Sequence, residues 1–227
     1  MNHDTLNLEA LHIPYMETTE FGDYTIKIEH DDMSESPREW DNLGTMVCFH
    51  NRYNLGDKHD FETPIAMVHE LSGLYDEECY EYLTDKQIDK CWEIVHKKYV
   101  VLPLYLYDHS GITMNTGGFS CGWDSGRVGY IYISHEDIRK EYSLQRVSLK
   151  WRKKVATHLT GEVETYDQYL TGEVYGFSIV KDDAGEEKDI DSCWGYFGYN
   201  ADHMISEIKS AIKYDITESP QQIEMFN

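Results

Sequence analysis

The sequence predicts an α+β fold: a mainly antiparallel sheet with packed helices, in a single domain over residues 22–227 behind an N-terminal arm of residues 1–21. Three observations carry this. Apolar residues recur at helical spacing in several well-separated segments, while other segments alternate or run apolar for the length of a strand. The two kinds of segment do not alternate strictly, so the pattern of a parallel βαβ sheet is missing. No Pro/Gly/Ser-rich linker divides the chain.

Residues 1–21 are polar and weakly patterned. Tyr24 to Glu29 alternates and reads as a strand. Asp31 to Arg38 is a polar loop around Pro37, and Thr45 to His50 is a short apolar run suited to a buried strand. Asn51 to Thr63 reads as loop. Pro64 to about Leu74 predicts a helix with Ile65, Val68, His69 and Leu71 on one side, which makes His69 a core histidine. The next helix starts at the capping-box pattern Thr84-Asp85-Lys86-Gln87 and places Ile88, Cys91, Trp92, Val95 and Tyr99 on one stripe.

Val100–Tyr107 and Val128–Ser134 read as buried strands. A long helical stretch follows from His135, broken near Tyr142-Ser143, with Trp151, Val155, Leu159 and Val163 at helical steps. Glu173–Lys181 and Lys188–Tyr196 flank Asp182-Asp183-Ala184-Gly185 as a hairpin. A last helix carries Met204, Ile205, Ile208 and Ile212 on one side.

Charge bounds the function. Lys and Arg total 20 against 42 Asp and Glu, a formal charge of −22. The imbalance is uneven: residues 1–100 hold 22 acids and 8 bases, residues 101–160 hold 5 and 8, and residues 161–227 hold 15 and 4. Such a surface repels nucleic acid and anionic membrane and attracts basic proteins. The basic island from Arg139 to Lys154 reads as a solvated helix face. Cys48, Cys79, Cys91, Cys121 and Cys193 form no CxxC pair, which suits free thiols in a reducing compartment. With no signal peptide and no long apolar run, the chain is expected to be soluble and to act in the cytoplasm.

Chemistry is sparse. Leu102–Gly129 holds six glycines with Asp, His, Ser, Cys and Arg between them, a composition suited to tight turns at a site and equally to a packed structural excursion. Within it Trp123 and Asp124 are candidate partner-binding residues. Gly118-Phe119-Ser120-Cys121-Gly122 matches G-x-S-x-G, but a nucleophile elbow needs a strand before it and a helix after it, and here another strand follows. No phosphate loop is present. No cofactor is called for. His50, His59, Asp108 and His109 are the residues of an alternative metal site, because imidazole and carboxylate are the usual ligands of zinc, manganese and iron; their spacing matches no named motif. Arg38, isolated among acids, reads as a structural ion pair or as a clamp for a carboxylate or phosphate. Two dense acidic clusters, Asp76, Glu77, Glu78 and Glu81, and Asp182, Asp183, Glu186 and Glu187, are candidates for contacting a basic partner.

The strings SPREWDNLGTM, RYNLGD, LPLYLYDHSG, WDSG, YDQYLTGEVYGF and DSCWGY resemble those of a family of acidic proteins encoded by bacteriophages and plasmids, to which no chemistry is assigned. The similarity runs from about residue 23 to 197. It implies a mobile-element origin and names no catalytic residue. The leading expectation is an accessory protein that binds and inhibits a host nucleic-acid-handling or defence complex, of anti-restriction or anti-CRISPR type, by imitating the charge of DNA without binding nucleic acid itself. The alternatives are a metal-dependent hydrolase or nuclease-like enzyme using the His and Asp residues above, and a non-catalytic structural or regulatory phage protein.

Overall fold

Most elements begin and end at the predicted local signals. The computed structural model describes residues 7–74 and 77–218. β1 (Thr18–Phe21) and β2 (Tyr24–His30) form a tight hairpin in which Phe21 pairs with Tyr24. A 3-10 turn at Pro37–Glu39 leads to β3 (Thr45–Cys48). Thr63 caps α1 (Pro64–Ser72) by accepting from the Ala66 N–H, and Pro64 occupies the first turn, where no donor is needed. At α2 (Asp85–Lys98), Gln87 Oε1 reaches back to the Thr84 N–H at 3.0 Å.

β4 (Tyr99–Asp108), β5 (Ile112–Asn115) and β6 (Ser125–Ser134) follow, so the glycine-rich segment is largely strand. Ser134 caps α3 (His135–Glu141), which stops at Tyr142 as expected, and α4 (Leu149–Thr171) resumes the helix. β7 (Val174–Asp183) and β8 (Glu186–Phe197) meet at Ala184-Gly185, both at positive φ, 57° and 93°. Two-residue hairpin turns of that hand match the twist of the strands. The ladder therefore runs into the acidic stretch expected to be loop. α5 (Ala201–Glu218) completes the order.

Among the described residues every strand pairing is antiparallel, and the strands form two four-stranded sheets, β1-β2-β7-β8 and β3-β6-β4-β5. The fold is mixed α+β. The chain divides into two units: residues 36–171 form one, and the segments on either side of them, described over residues 7–35 and 172–218, form the other.

In the discontinuous unit, alternation along β2 buries Tyr24, Ile26 and Ile28. These pack with Phe177 and Ile179 of β7 and with Met204, Ile208 and Ile212 of α5. The polar arm contributes Leu11 and Ile13 to the same core. β8 is an edge strand, exposed along most of its length. Trp194 of β8 lies over Gly176 of β7, where an added Cβ would sit 2.1 Å from the indole.

In residues 36–171, neighbours along a strand serve opposite faces. Met46 and Ile131 pack with Val155, Leu159 and Val163 of α4. Val47 and Tyr130 pack with Met67 and Val68 of α1 and with Cys91 and Val95 of α2. His69 is buried, as expected. Trp92 is only half-buried, packed on Tyr130 with ring centroids 5.0 Å apart. Gly129 of β6 sits so close to β3 that a Cβ would lie 1.9 Å from the Val47 carbonyl oxygen. Cys48, Cys91, Cys121 and Cys193 are free thiols. Among the described residues, no helix is long and apolar enough to cross a membrane.

Candidate partner-binding surfaces

The β7–β8 tip is assembled from like charges. Asp183 pairs with Glu186 and Asp182 with Glu187, and one step further in Lys181 pairs with Lys188. Consecutive pairs of an antiparallel ribbon point to opposite faces, so each face of the tip carries a directly opposed pair of carboxylates. All four acids are exposed. Like charges directly opposite each other destabilise a ladder. Gly185 donates its N–H to Asp182 Oδ1 at 2.7 Å, which fixes one carboxylate on the turn. Lys181 leaves its cross-strand position for Asp215, at 2.6 Å, and so does not neutralise the tip. Asp189 and Asp191 continue the acid along the exposed edge strand.

Of the other predicted cluster, Asp76 lies outside the described residues, as do the side chains of Glu77 and Glu78. Their backbone belongs to a 3-10 stretch, Glu77–Tyr82, in which Glu81 is exposed.

A second surface is built at one end of the sheet β3-β6-β4-β5. His50, Asp108, Trp123 and Asp124 line one cavity of about 360 Å³, together with Arg52 and Arg127. Loop residues that precede β6 thus meet residues after β3 and at the end of β4. Trp123 is 97% exposed. Asp108 pairs with Arg52. Asp124 lies 3.4 Å from His109 Nδ1 and 4.0 Å from the Cys121 thiol, and its backbone oxygen accepts from the Asp108 N–H at 2.8 Å. The same carboxylate oxygen, Asp124 Oδ2, thus lies near both the imidazole and the thiol.

His59 is placed apart from this group. Its Nε2 lies 3.0 Å from the Cys48 carbonyl oxygen, and its ring packs between Phe49 and Phe61. Among the described residues, no three or more of His, Cys, Asp and Glu are grouped to hold a metal ion. The sequence spacing that suggested His50, His59, Asp108 and His109 therefore does not become a shared ligand set.

Arg38 is resolved as structural. Its side chain is 4% exposed and its guanidinium bonds Asp57, Glu162 and the Gly44 carbonyl, which leaves no face for an outside anion.

The opposed carboxylates were legible in DDAGEE only to a reader who shortened the loop to two residues, because register follows from loop length. Asp189 and Asp191 lie inside the Lys188–Tyr196 strand segment, and a strand pattern alone does not mark them as exposed edge charge. No protein-family model, curated protein or solved structure matches the chain.

Proposed function

We propose that the protein is a phage or plasmid accessory protein that binds a basic surface on a host nucleic-acid-handling or defence complex and blocks it, acting inside the bacterial host cell. The β7–β8 tip substitutes for a run of backbone phosphates. The observation that carries this reading is the pair of opposed carboxylates on each face of the tip. Stability alone disfavours that arrangement, and a Lys or Arg placed between the two acids relieves the repulsion. Like charge also discourages a second copy of the same strand from adding to the β8 edge, so the edge selects a cationic partner. Nothing in the reading needs catalysis, a cofactor or direct contact with nucleic acid.

The test uses Glu186→Lys, singly and with Glu187→Lys. Each change turns a like pair into an opposite pair, so thermal stability should hold or rise by a few tenths of a kcal/mol. Binding to the partner captured from host lysate should fall at least tenfold, mainly through slower association. Free DNA should compete with the wild-type protein for that partner, and binding should weaken as salt screens the charges over about 8–10 Å. Partner binding indifferent to salt and to both reversals removes charge imitation.

A further inference from the structure

The most basic stretch of this acidic chain is the start of α4 with the turn before it. Residues 142–161 contain no acid, although 42 of the chain's 227 residues are Asp or Glu. They carry Arg146, Lys150, Arg152, Lys153 and Lys154. None of these five forms an ion pair among the described residues. Lys154 lies over the Trp151 ring at 4.6 Å and the Tyr142 ring at 5.5 Å. Arg146, Lys150 and Lys153 are exposed.

Stability does not explain this arrangement. The N-terminal end of a helix carries positive partial charge, so cations in its first turns are unfavourable, and α4 has no acid in its first turn. Lys150, Lys153 and Lys154 follow i, i+3, i+4 spacing, which brings like charges together on one face. That face lies opposite the buried stripe of Val155, Leu159 and Val163. Leu149, 70% exposed, stands one turn before Lys153 on the same side. An acidic partner laid across this face relieves the repulsion and covers the leucine.

Every copy of the chain carries such a partner. At the β7–β8 tip, Asp183 stands opposite Glu186 and Asp182 opposite Glu187. Directly opposed residues of an antiparallel ladder hold their Cβ atoms about 4.5–5.5 Å apart. Helix residues three or four apart hold theirs about 5–6 Å apart. A carboxylate pair of the tip therefore matches a lysine pair of α4 in spacing as well as in sign. We infer that the basic face of α4 docks the β7–β8 tip of a second copy, with Lys150 and Lys153 set against one pair of opposed carboxylates. Self-association then covers the tip and withholds it from other partners as protein concentration rises. The inference shares the tip with the host-binding reading but does not rest on it, since no host protein is needed.

Two copies at −22 also repel each other as wholes, so salt decides the balance. At about 0.01 M the screening length is about 30 Å and whole-molecule repulsion dominates; at about 0.1 M it is about 10 Å, which leaves direct ion pairs intact; at about 1 M it is about 3 Å and weakens the pairs too. Association should therefore be strongest near about 0.1 M salt.

Sedimentation velocity of the full chain, from about 10 µM to about 1 mM, tests this. At about 0.1 M salt the weight-average sedimentation coefficient should rise with concentration, and at about 1 M it should return to the monomer value. Lys150→Glu/Lys153→Glu and Glu186→Lys/Glu187→Lys should each weaken association at least about tenfold. All four positions are exposed, and acids suit the first turns of a helix, so melting temperatures should hold. The two double variants mixed in equal amounts should associate again, because each then meets opposite charge on the other. Wild-type protein that stays monomeric to about 1 mM at about 0.1 M salt overturns the inference. If that monomer still captures a host partner, the host-binding reading stands without it. A mixture no more associated than its components also overturns the inference. Retention of a single-stranded DNA oligomer that Lys150→Glu/Lys153→Glu abolishes, with the protein monomeric throughout, assigns the face to nucleic acid and overturns it as well.

Discussion

The Arg38 guanidinium meets the Asp57 carboxylate side-on, Nε to Oδ1 and Nη2 to Oδ2, both at 2.8 Å. The remaining donors reach Glu162 at 3.1 Å and the Gly44 carbonyl at 2.7 Å. The two acids in turn accept backbone N–H groups, Asp57 from Met46 at 2.7 Å and Glu162 from Leu43 at 2.8 Å. One buried cation therefore ties the segment before β3, the loop after it and α4 together.

Arg38→Met leaves two carboxylates around an apolar chain. The expected cost is about 3–5 kcal/mol, the range for removing one partner of a buried ion pair. Arg38→Lys should recover little, because a single ammonium cannot reproduce the planar fork. Urea denaturation of both variants measures it; full recovery by Lys would show that charge alone matters here.

Gly129→Ala should be among the most damaging single-methyl changes in the chain, because the added carbon meets backbone that cannot rotate away, 1.9 Å from the Val47 oxygen. Gly126→Ala, three residues earlier with nothing within 4 Å, should be nearly neutral. Comparison of their melting temperatures isolates close approach from general loss of glycine.

Two tryptophans should behave oppositely. Trp92, half-buried on Tyr130, should cost about 2–3 kcal/mol on truncation to Ala, less than the 3–5 kcal/mol of a fully enclosed aromatic ring. Trp123→Ala should change stability by less than about 0.5 kcal/mol and lower the iodide-quenchable fluorescence, because the side chain is 97% exposed. A large stability loss at Trp123 would contradict its placement.

Alkali should unfold the protein in a defined window. Burial pushes the Cys48 thiol from its ordinary 9.0 up to about 12, with Asp57 adding to the effect, and burial likewise raises the Tyr132 hydroxyl to about 12 from 10.0. The folded state then keeps protons that the unfolded chain releases, so stability is intact below pH 9 and falls as pH climbs from 9 towards 12. Cys48 alone should account for about 1.4 kcal/mol of the loss by pH 10. Denaturation curves at pH 8 and pH 10 should converge partly in Cys48→Ala; an unchanged pH dependence would show that the thiol ionises freely in the fold.

The sequence made the long elements readable because each carries its own start, stop and period: Thr63 and Pro64 before α1, the Thr84–Gln87 box before α2, the break after Glu141. It concealed β1 and β5, four-residue strands whose pairing comes from their neighbours rather than from their own alternation. The division of the strands into two sheets was also invisible, since no linker composition marks residues 35–36 or 171–172. At the candidate surfaces, residue types were legible and geometry was not. Trp123, Asp124, His50 and Asp108 were each singled out, yet only the strand ends bring them to one cavity.

The discontinuous unit has a consequence for biosynthesis. β2 must wait for β7, and Tyr24 for Lys181, so the first strands leave the ribosome long before their partner exists. An isolated two-stranded hairpin is marginal in water, so β1 and β2 should stay unsettled until the whole intervening unit has been made. Nascent chains arrested when Thr171 has just cleared the ribosomal exit tunnel should therefore protect residues 36–171 from protease while residues 18–30 remain cleavable. A ribosome that stalls or a message that is cut in that interval yields one finished half and an orphaned pair of strands, with the acidic tip never formed.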